Sequence, residues 1–137
     1  MLLYHFLSVI AGLAFLLAGL RILARTGKVA ERGAWLIPAA LSAGLFGWSV
    51  HAIASEGTLG FWTEHVRDAW GVQIWFDLLL GLGTAFALLA PRPRAAGMRL
   101  APWLIAIACT GSVGLLAMAA HYLFLCETRP AARRSPA

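Results

Sequence analysis

The chain has 137 residues, 61% of them hydrophobic and only 12% charged, with six Trp and a mean hydropathy of +0.78. That composition leaves too few polar residues to cover a soluble domain and points to a membrane protein. The net charge of +5 does not indicate nucleic acid, because Arg21, Arg25, Lys28 and Arg32 gather in one short loop and Arg92, Arg94 and Arg99 in another, where basic residues set membrane topology.

Four nearly uncharged stretches follow one another, each about as long as a bilayer's hydrocarbon core requires. The first lies in a helix expected over 2–24; it lacks the basic n-region of a secretory signal and reads as a span. A second helix is expected over 33–55. Residues 58–68 then place Phe61, Trp62 and His65 on one helical face, which suits a short interfacial helix. A third span covers 69–90 with a single acid, Asp77, and a fourth covers 100–126. The expected fold is therefore all-α, a four-transmembrane-helix bundle in one domain over 1–128, with the interfacial helix between helices 2 and 3. The basic segment 129–137 reads as a disordered tail.

Trp35 and Trp103 open the second and fourth spans on the basic side and, with Arg99, read as interface anchors. The loops after the first and third spans hold seven Lys/Arg, against Arg67 plus Arg129, Arg133 and Arg134 on the other side. Seven against four orients the chain in a bacterial-type inner membrane with both termini outside, although the basic tail counts for the reverse. Cys109 and Cys126 fall about 25 Å apart on one expected helix and cannot bridge. Cys109 reads as a small packing residue.

The stretch from Gly12 can be laid against the stretch from Gly81, both ending in Trp-Leu-Ile after a basic loop, and Trp35 precedes His51 by 16 residues as Trp103 precedes His121 by 18. Either this is a duplicated helical hairpin or a chance likeness among Leu, Ala and Gly.

Alternating helix directions place His5, His51, Asp77 and His121 at similar depth, on the order of 5–10 Å inside the non-basic interface. Helical phasing puts small residues beside them, Gly44 and Gly47 with His51, Gln73 and Gly81 with Asp77, and Gly114 with His121; such glycines mark close helix packing. The four ionisable groups and Gln73 thus form a candidate polar cluster inside the bundle. Its plainest role is to tie helices together through Asp77. A metal site is not indicated, because the three histidines come from separate helices without an i, i+4 pair. The sequence leaves any cofactor unknown; a b-type haem between His51 and His121 is geometrically conceivable.

From about 33 to 129 the chain resembles the small integral membrane proteins catalogued as domain of unknown function 2834. The likeness lies in Glu56-Gly57 followed by Phe61, in Trp75-Phe76-Asp77-Leu78-Leu79, in Gly97-Met98-Arg99 with Pro102-Trp103-Leu104, and in Gly114 with Leu123-Phe124-Leu125. The resemblance implies a three-helix core, to which residues 1–25 add a span, and places Asp77 and Arg99 in a recurring pattern. It supplies no activity.

No complete catalytic, phosphate-binding or metal-binding motif occurs in the chain, and the reading leans away from an enzyme. The leading expectation is an accessory or scaffold subunit that packs against other membrane proteins or itself in the lipid bilayer. The alternatives are a haem- or quinone-linked redox protein using the His/Asp cluster, and a homo-oligomeric permease with Asp77 on the pathway.

Overall fold

The computed structural model describes residues 2–24 and 32–128, which belong to two units, Met1–Ala30 and Glu31–Ala137. The expected basic loop around 25–31 and the tail 129–137 lie outside the described residues. All described regular structure is helical.

In the first unit, α1 covers Leu2–Ala24. It leaves Phe6, Leu7, Phe15 and Leu16 exposed in directions that go right round the helix. Such a helix has no polar face to turn to water.

The second unit starts with a turn in which Gly33 adopts φ +80°, a conformation that favours glycine. It leads into α2 (Leu36–Glu56). Gly57, at φ +86°, ends α2, and the short α3 (Gly60–Val66) follows. The carboxylate of Asp68 then accepts the Gly71 N–H at 2.8 Å and caps α4 (Ala69–Leu89). Ala90 stays helical, and its N–H bonds the Phe86 carbonyl at 2.8 Å. The helix therefore runs on into α5 (Pro91–Ala95). Two prolines without N–H donors and a glycine end it: the Gly97 N–H bonds the Arg94 carbonyl and the Met98 N–H the Pro93 carbonyl, both at 2.9 Å. Pro93 and Met98 are buried by that closure.

The helix expected over 100–126 is divided. α6 (Leu100–Thr110) stops at Gly111, and α7 (Ser112–Thr128) turns back along it. Gly111 has φ +60° and ψ −126°, which only glycine takes without strain. Three residues on, a Cβ at Gly114 would lie 2.8 Å from the backbone of Ala106 and Ile107. The two backbones touch through that glycine, and a straight helix would hold them about 12 Å apart.

The core gathers around this hairpin. Met98, Ile107 and Met118 are buried against Phe86, Leu89, Trp103 and Leu125. Among the described residues two helices, Leu36–Glu56 and Ala69–Ala95, are long and apolar enough to cross a membrane. The all-α expectation holds; a bundle of four crossing helices does not follow, because the fourth stretch is spent on two shorter helices of 11 and 17 residues.

Candidate functional site

α7 runs antiparallel to α2, and three contacts fix their register. The Gly33 N–H donates to Glu127 Oε2 at 3.0 Å, the Trp35 ring meets Phe124 edge-on with centroids 5.4 Å apart, and the Ser42 hydroxyl donates to the Val113 carbonyl at 3.0 Å. Ser42 is buried, so its hydroxyl needs that acceptor. Small side chains, Ala39 and Ala43 on α2 and Ala117 and Ala120 on α7, leave an open groove of about 590 Å³ along the seam. Trp35, Phe46 and Phe124 supply its aromatic walls, and His121 supplies its titratable group.

The His121 imidazole is held edge-on against the Trp103 indole, centroids 5.5 Å apart. The imidazole, with the Ser42 hydroxyl and the Trp35 indole N–H, gives a mostly apolar trough a few polar groups. The groove can therefore take a lipophilic molecule and orient it through a small number of hydrogen bonds. Trp35 and Trp103, expected as interface anchors, both stand at this end of the unit and are partly buried; Arg99, the residue before α6, is exposed.

The structure separates the residues expected to form one polar cluster. His121 shares the groove with Trp35 and Ala39, whereas His51 lies 12 to 16 residues farther along α2, about 18–24 Å at the helical rise. Its ring sits beside Trp48 instead, centroids 5.5 Å apart. Asp77 is remote from His121 as well. A Cβ at Gly111 would meet Leu82 at 3.7 Å, so the hairpin tip reaches α4 five residues short of Asp77, while His121 is ten residues back from the tip along α7. Those offsets add to on the order of 20 Å. Asp77 is exposed, and its carboxylate accepts a hydrogen bond from Gln73 Nε2 at 3.3 Å, one turn away on the same helix. His5 belongs to α1 in the other unit. With His51 and His121 so far apart, a haem between them has no pair of axial ligands, and among the described residues no group of three His, Cys, Asp or Glu could hold a metal ion.

The same hairpin undoes the equivalence of the two Trp/His pairs. Trp103 touches His121 across a turn, while Trp35 and His51 mark opposite ends of one helix. The glycines also differ: Cβ atoms at Gly44, Gly47 and Gly81 would meet nothing within 4 Å, in contrast to Gly114.

Two features carry little sequence signal. The groove depends on Ser42, Phe46 and Phe124, ordinary residues of an apolar helix; the turn that creates it is announced only by Thr110-Gly111-Ser112 inside the fourth stretch. At the other end of the unit, α3 folds onto α4, and Trp75 receives His65, Phe61 and Trp62 with ring centroids 5.1, 5.9 and 6.5 Å away. The shared face of Phe61, Trp62 and His65 is legible in the sequence, and Trp75 as its counterpart is not. Gly71 permits the elbow, since a Cβ there would lie 2.9 Å from the His65 carbonyl oxygen.

No family model, curated protein or solved structure matches this chain.

Proposed function

We propose that the protein is a small multi-pass subunit of a bacterial-type inner membrane that packs against other membrane proteins, with α4 as its docking helix. The observation that carries this reading is the uncovered stripe of Gln73, Asp77, Gly81 and Thr84, one per turn along α4 and all exposed. Asp77 lies eight residues into a helix long enough to cross a membrane, about 12 Å from its start. A carboxylate facing hydrocarbon at the middle of a span costs about 2.5–3.5 kcal/mol on the insertion scale, and a protein neighbour with polar groups removes that cost. Gly81 adds the flat surface on which helices approach closely in lipid. The large exposed side chains flanking the stripe, Ile74, Phe76 and Leu80, suit either lipid or a partner's apolar face.

The experiment is photo-crosslinking from positions 77 and 81 in native membranes, after alkaline carbonate has shown the protein to be embedded. Discrete adducts with another membrane protein, or with a second copy, support the reading. Adducts with lipid alone at both positions remove it.

A further inference from the structure

Among the described residues of the second unit, the charges other than Asp77 within α4 gather at its two ends, with Glu127 the one acid at the basic end. Arg32, Arg92, Arg94 and Arg99 stand where α2 begins, α5 ends and α7 finishes. At the opposite end, Glu56 closes α2, and Arg67 pairs with Glu64 at 2.9 Å and Asp68 at 3.7 Å. α6 sets out from the basic end and α7 returns to it.

The depth of the turn can be read on both neighbouring helices. Val113 lies beside Ser42, six residues into α2, and Gly111 lies beside Leu82, seven residues before α4 ends. The first puts the tip about 9 Å along a helix about 31 Å long, and the second, counted back from Ala95 where the continuous α4–α5 helix ends, about 20 Å along one about 40 Å long. Past it, Gly47 on α2 and Gly81 on α4 face open space.

We infer that α6 and α7 form a re-entrant hairpin, which enters the bilayer from the basic side, turns at Gly111 within the hydrocarbon and leaves on the side it entered, so that the end of α7 joins Arg32, Arg92, Arg94 and Arg99 in one surface against the anionic headgroups of the cytoplasmic leaflet. This rests on the membrane reading above. Irregular backbone survives at such depth only where its polar groups are bonded within the protein. Here the Gly111 N–H bonds the Ile107 carbonyl at 2.7 Å, the Gly111 carbonyl accepts from the Leu115 N–H at 3.3 Å, and the Val113 carbonyl receives the Ser42 hydroxyl at 3.0 Å.

The hairpin also resolves the conflict in the charge count. With a straight fourth span, Arg129, Arg133 and Arg134 oppose the loops, seven cations against four; with the hairpin they join them, ten against Arg67 alone. A bias of that size fixes orientation. Guanidinium groups, which grip phosphate with two parallel hydrogen bonds, dominate the surface so formed.

Topology reporters fused to the full chain after Gly97, at Thr58 and after Ala137 test the path. Cytoplasmic activity after 97 and 137 with export at 58 is the expected result. A membrane-retained protein whose 97 and 137 sites report opposite sides overturns the hairpin while leaving the membrane reading intact. Release by alkaline carbonate, with no exported site, removes both. A smaller probe repeats the measurement: with Cys109→Ser and Cys126→Ser in place, an impermeant maleimide on intact cells should label Thr58→Cys and spare Ala96→Cys and Ala132→Cys; labelling of Ala132→Cys overturns the proposal. For the headgroup surface, lipid retained on the purified protein should be enriched in phosphatidylglycerol over the source membrane, an enrichment lost in Arg92→Gln/Arg94→Gln/Arg99→Gln. Equal lipid composition in both proteins removes that surface.

Discussion

Trp103 and His121 are 18 residues apart in the chain, yet their rings meet edge-on with centroids 5.5 Å apart and an interplanar angle of 63°. On one straight helix they would stand about 27 Å apart. The contact reports the reversal at Gly111 directly. Cysteines at these two positions, in a chain lacking Cys109 and Cys126, should be joined within one molecule by a short bifunctional thiol reagent. A chain that stays uncrosslinked, although both thiols react singly, has a straight fourth helix.

The turn depends on two glycines for different reasons. Gly111→Ala puts a side chain at φ +60°, ψ −126°, a strain of about 1–3 kcal/mol. Gly114→Ala drives a methyl into the Ala106–Ile107 backbone, where overpacking costs about 1–3 kcal/mol or more. Gly47→Ala meets open space in mid-helix and should be neutral or stabilising by up to about 1 kcal/mol. Thermal aggregation in detergent should rank the three with the first two well below the parent protein and the third at or above it.

Ser42→Ala removes the hydroxyl that donates to the Val113 carbonyl across the α2–α7 seam. The loss should be about 0.5–1.5 kcal/mol, read as a lower unfolding midpoint. Ser42→Thr keeps the donor and should recover part of it. Equal midpoints for Ser42→Ala and the parent would show that the seam does not use this bond.

Asp77→Asn and Gly81→Leu alter an exposed stripe in which a Cβ at Gly81 would meet nothing within 4 Å. Asp77→Asn should change the stability of the isolated protein by no more than about 0.5 kcal/mol, and Gly81→Leu, like Gly47→Ala, should be neutral or stabilising by up to about 1 kcal/mol. Under the docking reading both should weaken recovery of the crosslinked neighbour from native membranes. A sharp fall in isolated stability would instead make Asp77 an internal structural group.

Composition and spacing already dictate that the described residues are helical and locate several helix ends, because the length of an apolar run and glycine, proline and aspartate at its borders act locally: α4 and the short α3 both follow from residues within a turn or two of their limits. The fourth stretch shows where that stops. Its 27 residues, none of them Asp, Glu, Lys or Arg, satisfy the length rule for a span, and hydropathy is blind to direction, so one glycine with positive φ outweighs it. Whether Gly111 continues a helix or reverses it is decided by what waits on either side, here Ser42, Leu82 and the Ala106–Ile107 backbone that Gly114 lets close. The same decision governs the candidate site. Depth counted from helix ends brings His51, Asp77 and His121 together only if every span is straight; once α7 folds back, His121 moves to the Trp35 end of α2, and a groove of ordinary alanines and aromatics takes the place of the polar cluster.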